Sequence, residues 1–206
     1  DYAPVADVLT NPGNTAIGTR SFGSDASMVA DMVIKELEGL SSQGVFGAVK
    51  HFPGQGGVSG DSHDGAVTLD KSLEELMQTE LVPFQKALEN GVSFVMVGHI
   101  SVPQVVGDNT PASLSQMMVS NVLREQLGYQ GIVITDAMNM GAVTGNYTAD
   151  QAAVMAVNAG VDMILMPQDY ETAYNGLLQA VQDGTISEER IDESVERIVK
   201  VKLQMQ

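Results

Sequence analysis

Five short, nearly uninterrupted apolar runs recur along the chain: Ala3–Val8, Gly44–Val49, Gly91–Val97, Gly131–Thr135 and Gly160–Met166. A strand with one wet face alternates apolar and polar residues, whereas runs without alternation are buried on both faces, as in parallel sheets. Between the runs, apolar residues return every three to four positions. This spacing predicts helices over Ser27–Gln43, Ser72–Asn90, Ser115–Leu127, Ala149–Ala159, Tyr170–Asp183 and Glu188–Gln204. Asp25 stands where an N-cap belongs, Thr185–Arg190 reads as a turn and capped start, and Gly39, Gly44, Gly91, Gly128, Gly160 and Gly184 stand where glycines end helices. No repeat, low-complexity tract or Pro/Ser-rich linker interrupts this rhythm, so residues 1–206 read as a single α/β domain. Five parallel strands with crossover helices fit an open doubly wound sheet or part of a (β/α)8 barrel; length slightly favours the former, since a barrel takes about 250 residues.

Ten Lys and Arg against 26 Asp and Glu give a formal charge of −16. That balance offers no basic footprint for nucleic acid or an anionic membrane. Without cysteine the chain has no disulfide, thiolate metal site or sulfur nucleophile, so any nucleophile is oxygen or nitrogen. The apolar runs fall well short of the ~18 residues of a membrane span. Acidity and absent cysteine suit an extracellular or cell-envelope setting somewhat better than a cytoplasmic one. The opening Asp1-Tyr2-Ala3 carries neither a charged n-region nor an apolar h-region, which reads as a signal or anchor removed upstream.

Chemistry gathers at the C-terminal ends of the predicted strands. Lys50-His51 ends the second run, Gly98-His99 the third and Thr135-Asp136 the fourth, which brings Lys, His, His and Asp to one rim. In both candidate folds that rim binds ligands. Between Lys50 and Leu69 runs a glycine-rich stretch, KHFPGQGGVSGDSHDGAVTL, too long for an ordinary connection. It reads as a functional loop, a flexible surface excursion, or a phosphate cradle, although the spacings of the usual phosphate-binding motifs are missing. Inside it, Asp61 stands two residues before His63, where a carboxylate reaches the imidazole Nδ1–H if the backbone turns. Such a pair serves as general acid and base near neutral pH; the plainer alternative is an Asx-turn with an exposed histidine. Asp136 reads as a nucleophile, a metal ligand or the N-cap of the next helix, with no metal-ligand spacing to favour the second. Arg20, in the loop after the first run, suits forked hydrogen bonds to sugar hydroxyls or carboxylates, or a surface salt bridge.

Taken together, the segments resemble the catalytic barrel of family 3 glycoside hydrolases, and most closely its NagZ-type β-N-acetylglucosaminidases. The resemblance rests on Tyr2–Val8 with Asn11-Pro12, IGTRSFG at Ile17–Gly23, KHFPGQG at Lys50–Gly56, DSH at Asp61–His63, PASLS at Pro111–Ser115, LGYQGIVITDAMNM at Leu127–Met140 and AGVDMILMP at Ala159–Pro167. It implies a (β/α)8 barrel rather than an open doubly wound sheet. It further implies a retaining hydrolase that releases terminal β-linked N-acetylglucosamine from peptidoglycan- or chitin-derived saccharides without a cofactor or metal. By the same resemblance, Asp136 is the nucleophile, His63 the acid/base on a flexible loop, Asp61 its orienting partner, and Arg20, Lys50 and His51 bind the sugar. Gln55 and Gly57 depart from the His and Asp of the commoner KHFPGHGD loop.

Nothing in the chain matches the family's upstream IDQEGG-like segment, so the resemblance implies the C-terminal portion of a barrel, with about three of eight strands supplied upstream. An inner face including Val49, Val97 and Ile134 is then expected to stand exposed without those strands. Other readings of the same residues are a β-glycoside phosphorylase, a β-glucosidase of the same family, a Schiff-base aldolase on Lys50, and a non-catalytic sugar-binding or structural fragment.

Overall fold

A computed structural model describes residues 1–204; positions 205–206 of the expected domain lie outside the described residues. Its strands are β1 (Ala48–Phe52), β2 (Val67–Thr68), β3 (Phe94–Val97), β4 (Ile100–Ser101), β5 (Ile132–Ala137) and β6 (Met163–Leu165). Four of them form one parallel sheet in the order β1-β3-β5-β6. The first apolar run joins beside β1: Val5 bridges Lys50 in parallel, and the Ala6 amide donates to the Lys50 carbonyl at 2.6 Å. Spatial order therefore follows chain order without the reversal that defines a doubly wound sheet. The architecture is an α/β sheet of barrel type that does not close among the described residues.

The helices are α1 (Ala26–Ser41), α2 (Leu73–Gln78), α3 (Val82–Glu89), α4 (Pro103–Val106), α5 (Gly141–Thr144), α6 (Ala149–Ala159), α7 (Tyr170–Gln182) and α8 (Glu188–Leu203). Asp25 and Ser187 cap α1 and α8 with their side chains, as expected, whereas Gly39 lies inside α1 rather than ending it. The single helix expected over Ser72–Asn90 is two. Pro83 has no N–H, and its ring would meet the carbonyl four residues back, so the chain breaks after Gln78 and restarts at Val82. Met117–Gln126 is wound as a π-helix and ends with the Leu127 amide on the Val122 carbonyl, five residues back, at 2.9 Å.

The second strand starts later than expected and runs through Lys50 and His51 to Phe52. Phe52 pairs with Val97 and packs edge-on against Phe84 of α3, and burying that ring carries the strand past its two polar residues. The glycine-rich stretch is docked, not a free excursion: Pro53–Gly56 are buried, and a Cβ on Gly56 would lie 2.0 Å from the Val8 carbonyl oxygen. Beneath it lies buried Glu80, whose carboxylate pairs with Lys71. The stretch ends in β2, which pairs in parallel with β4 as an unexpected two-stranded sheet.

Val49, Val97 and Ile134 are buried, contrary to the expectation of an exposed inner face. Val49 and Val97 belong to the core that includes Val29 and Val33 of α1 and Phe84 of α3, so they lie on the helix side of the sheet. Far from the rim, the Asp162 side chain is fully buried among three arginines. Its Oδ2 accepts from Arg124 Nη2 at 2.6 Å and from the Val133 amide at 2.9 Å, while Oδ1 accepts from Arg197 Nη1 at 3.0 Å and Ser194 Oγ at 2.7 Å. Arg190 completes the cluster at 3.7 Å. One carboxylate thus ties α8 and the π-helix to the start of β5.

Candidate active site

Asp136 lies within β5, one residue before its end, and the N-cap of the following helix α5 is Met140. The N-cap reading of Asp136 is thereby excluded. Its Oδ1 accepts from the Ala137 amide at 2.8 Å, and its Oδ2 lies 3.9 Å from His51 Nε2. The side chain is 17% exposed, so this carboxylate opens onto the rim while its strand stays buried.

His51 projects from β1 toward it, and its other ring nitrogen is fixed from behind. Nδ1 lies 2.7 Å from Asp7 Oδ2, a distance at which Nδ1–H donates to the carboxylate and leaves Nε2 facing Asp136. Asp7 is completely buried, and its Oδ1 also accepts from the backbone amides of His51 and Gln55. That carboxylate was not singled out in the sequence because it lies inside an apolar run. The available signal was a charge within a strand that is otherwise too apolar to be exposed.

His99, at the end of β3, is buried and braces the site without opening onto it. Its Nε2 lies 3.0 Å from the Ala137 carbonyl and its Nδ1 2.7 Å from Ser113 Oγ. Only the neutral ring with Nε2–H donating and Nδ1 accepting satisfies the carbonyl while leaving Ser113 a proton to give. Burial also lowers its pKa, which favours that neutral form. Burial likewise lowers the pKa of Lys50, against the opposing pull of Asp136 and with a smaller push from Arg20.

Arg20 lies close enough to influence both Lys50 and Asp61, but its Nε and Nη2 are both spent on the Ala16 carbonyl, at 3.2 and 2.6 Å. Among the described residues, the surface salt bridge considered for it is not formed.

Asp61 and His63 do meet. His63 Nδ1 is 2.6 Å from Asp61 Oδ1, and the same oxygen accepts from the His63 backbone amide at 2.9 Å. The turn and the side-chain pair are one motif, so the two alternatives read from the sequence coexist. These two bonds lower the Asp61 pKa and keep it an acceptor. The imidazole is 64% exposed, with Nε2 free to face a ligand. The loop is nonetheless tied to the rim: the amides of Gly141 and Ala142 donate to the carbonyls of His63 and Ser62 at 3.0 and 3.1 Å.

The fold that carries these residues recurs in known proteins. A family model described as the glycosyl hydrolase family 3 N-terminal domain matches residues 1–201. A glycoside hydrolase family 3 β-N-acetylglucosaminidase from Paenibacillus sp. str. FPU-7 superposes with a TM-score of 0.97 at 41% identity, over 99% of this chain and 39% of that one. The β-hexosaminidase LpqI of Mycobacterium tuberculosis is 37% identical over 210 residues, 98% of this chain and 53% of the relative. A β-glucoside phosphorylase, BglX, superposes with a TM-score of 0.95 at 28% identity, over 99% of this chain and 38% of that one. The chain thus spans about half or less of each relative's length. With the family model running from the Asp7 strand through β5 and its Asp136 to α8, the chain belongs to glycosyl hydrolase family 3.

Proposed function

We propose that this chain carries the catalytic residues of a retaining β-N-acetylglucosaminidase, with Asp136 as nucleophile and His63, oriented by Asp61, as acid/base. The observation that carries the reading is the 2.6 Å Asp61–His63 pair on a loop hydrogen-bonded to the start of α5, the helix that follows the strand of Asp136. The Asp136 carboxylate attacks the anomeric carbon as His63 Nε2 gives its proton to the departing glycosidic oxygen. Asp61 stabilises the charged imidazolium before that transfer and holds the ring afterwards. In the second step neutral Nε2 takes a proton from water, which displaces Asp136 and regenerates both groups. Two inversions give net retention, although the usual distance rule for carboxylate pairs has no bearing where one partner is an imidazole. His51, aimed by Asp7, and Lys50 line the same rim as sugar-binding groups, with Arg20 beside them.

The names of the relatives support the choice of N-acetylglucosamine. Both flanks of the sheet, the Ala3–Val8 run and β6, lack a further strand among the described residues, and further strands of the same protein complete the barrel there. A phosphorylase is the second reading, favoured by the superposition on BglX and by an acid/base that repels an incoming phosphate less than a carboxylate does. Product analysis in phosphate buffer separates the two: free N-acetylglucosamine is expected, and the 1-phosphate indicates phosphorolysis.

The test of the acid/base role is His63→Ala. It is expected to lower turnover of substrates with poor leaving groups by about 10²–10⁴-fold while affecting activated aryl glycosides far less, because only the former need proton donation. Equal losses on both substrate types would remove His63 from the role.

A further inference from the structure

We infer that Gly141 is a positioning residue for the acid/base: it closes a backbone clasp that holds the Asp61–His63 loop against the end of the strand bearing Asp136. The inference rests on the reading of His63 given above. Two parallel-running donors make the clasp. The first amides of α5 find no acceptor within their own turn, and here they reach across to the loop, Gly141 to the His63 carbonyl at 3.0 Å and Ala142 to the Ser62 carbonyl at 3.1 Å.

The clasp closes because residue 141 is a glycine, for reasons of space and not of backbone conformation. Its φ is not among the left-handed ones, so alanine adopts the same backbone. A Cβ there, however, would lie 2.8 Å from the His63 carbonyl oxygen and 2.9 Å from both the carbonyl carbon and oxygen of Asp64. All three are backbone atoms, so no side-chain rotation relieves the contact, and the loop itself has to move.

Behind the clasp the loop has a further anchor at its buried residue. Ser62 is buried, and its Oγ accepts from Gln55 Nε2 at 3.1 Å, joining the loop to the docked glycine-rich turn. Gln55 is, with Gly57, one of the two positions at which the loop departs from the commoner KHFPGHGD pattern. Between these anchors the Asp61 carbonyl accepts from the amides of Asp64 and Gly65 at 3.1 and 3.3 Å, which folds the loop on itself. The backbone and Ser62 are thus held while the Asp61 and His63 side chains stay open to solvent, which is what a proton donor above a sugar site requires. A donor has to stand within hydrogen-bond reach of the departing oxygen, and a displacement of about 1 Å costs on the order of 10²-fold.

The experiment uses the full-length protein with Gly141→Ala and Ser62→Ala, and reads turnover together with amide exchange in the peptide spanning residues 59–66. Gly141→Ala is expected to lower turnover of an alkyl N-acetylglucosaminide by about 10-fold or more, leave a dinitrophenyl N-acetylglucosaminide within about 3-fold, and speed exchange in the loop about 10-fold. Ser62→Ala, which adds no atoms and keeps the fold safe, is expected to move all three readings the same way by a smaller factor. Unchanged exchange and turnover in a folded Gly141→Ala protein would overturn the clasp. Faster exchange with equal losses on both substrates would overturn the positioning role. If His63→Ala itself shows no leaving-group dependence, the acid/base assignment fails and the positioning role falls with it, while the exchange reading still decides whether the clasp exists.

Discussion

With Asp136 as the proposed nucleophile, Asp136→Ala is expected to remove turnover of β-N-acetylglucosaminides, by on the order of 10⁴-fold or more, because no other group described on the rim would replace a carboxylate that has to form a covalent bond. His51 lies 3.9 Å from Asp136, but its Nδ1 is engaged by Asp7 and its Nε2 points at the vacated space as a hydrogen-bonding group. Lys50 remains half-buried beside it, relieved of the carboxylate that partly offsets its desolvation. The strand itself survives, since Asp136 gives up only a local bond to the Ala137 amide. A small anion such as azide fits the space left by the side chain and attacks from the same face. Activated substrates with Asp136→Ala and azide therefore yield the α-glycosyl azide, read by NMR. A β-azide, or no rescue alongside undiminished native activity, would contradict the nucleophile assignment.

The second large effect concerns stability. Asp162→Ala is expected to destabilise the protein by about 3–5 kcal/mol, the usual cost of removing one member of a buried ion cluster, out of a whole-domain stability of about 5–15 kcal/mol. The cause is what remains. Arg124, Arg190 and Arg197 converge on this carboxylate, and without it they repel one another. The Ser194 hydroxyl and the Val133 amide lose their acceptor at the same time. Burial already lowers the pKa of Arg124 and Arg190, and Asp162 is the main force opposing it in both. Urea unfolding of the full-length protein checks the expectation, and a loss below about 1 kcal/mol would show that the cluster is no keystone.

The parallel order of the sheet was legible from the runs because residues buried on both faces leave no alternation, and β3 and β5 begin within three residues of the expected runs. The end of β1 was not. Lys50 and His51 look like the end of a strand, and only the burial of Phe52 against Phe84, distant in sequence, carries pairing past them. The split between α2 and α3 was missed, although Pro83 carried the signal, since its effect on the carbonyl four residues earlier is local chemistry. The π-winding of Met117–Gln126 was not legible, because apolar spacing at three to four residues does not separate it from an α-helix. Within the site, the spacing of Asp61 and His63 left a side-chain pair and an Asx-turn open as alternatives, and one local turn holds both. Asp7, Ser113 and Gly141 act through partners 44, 14 and 78 positions away, and no local pattern announces such contacts.

Mechanism-based trapping reads directly whether Asp136, the proposed nucleophile, forms a glycosyl-enzyme. The full-length protein is incubated with a fluorinated N-acetylglucosaminyl reagent whose second step is slow, then digested, and the labelled peptide is sequenced by mass spectrometry. One sugar per active site is expected, attached to Asp136 in the peptide containing GIVITDAMNM. A label on any other residue of an enzyme inactivated in step with labelling would contradict it.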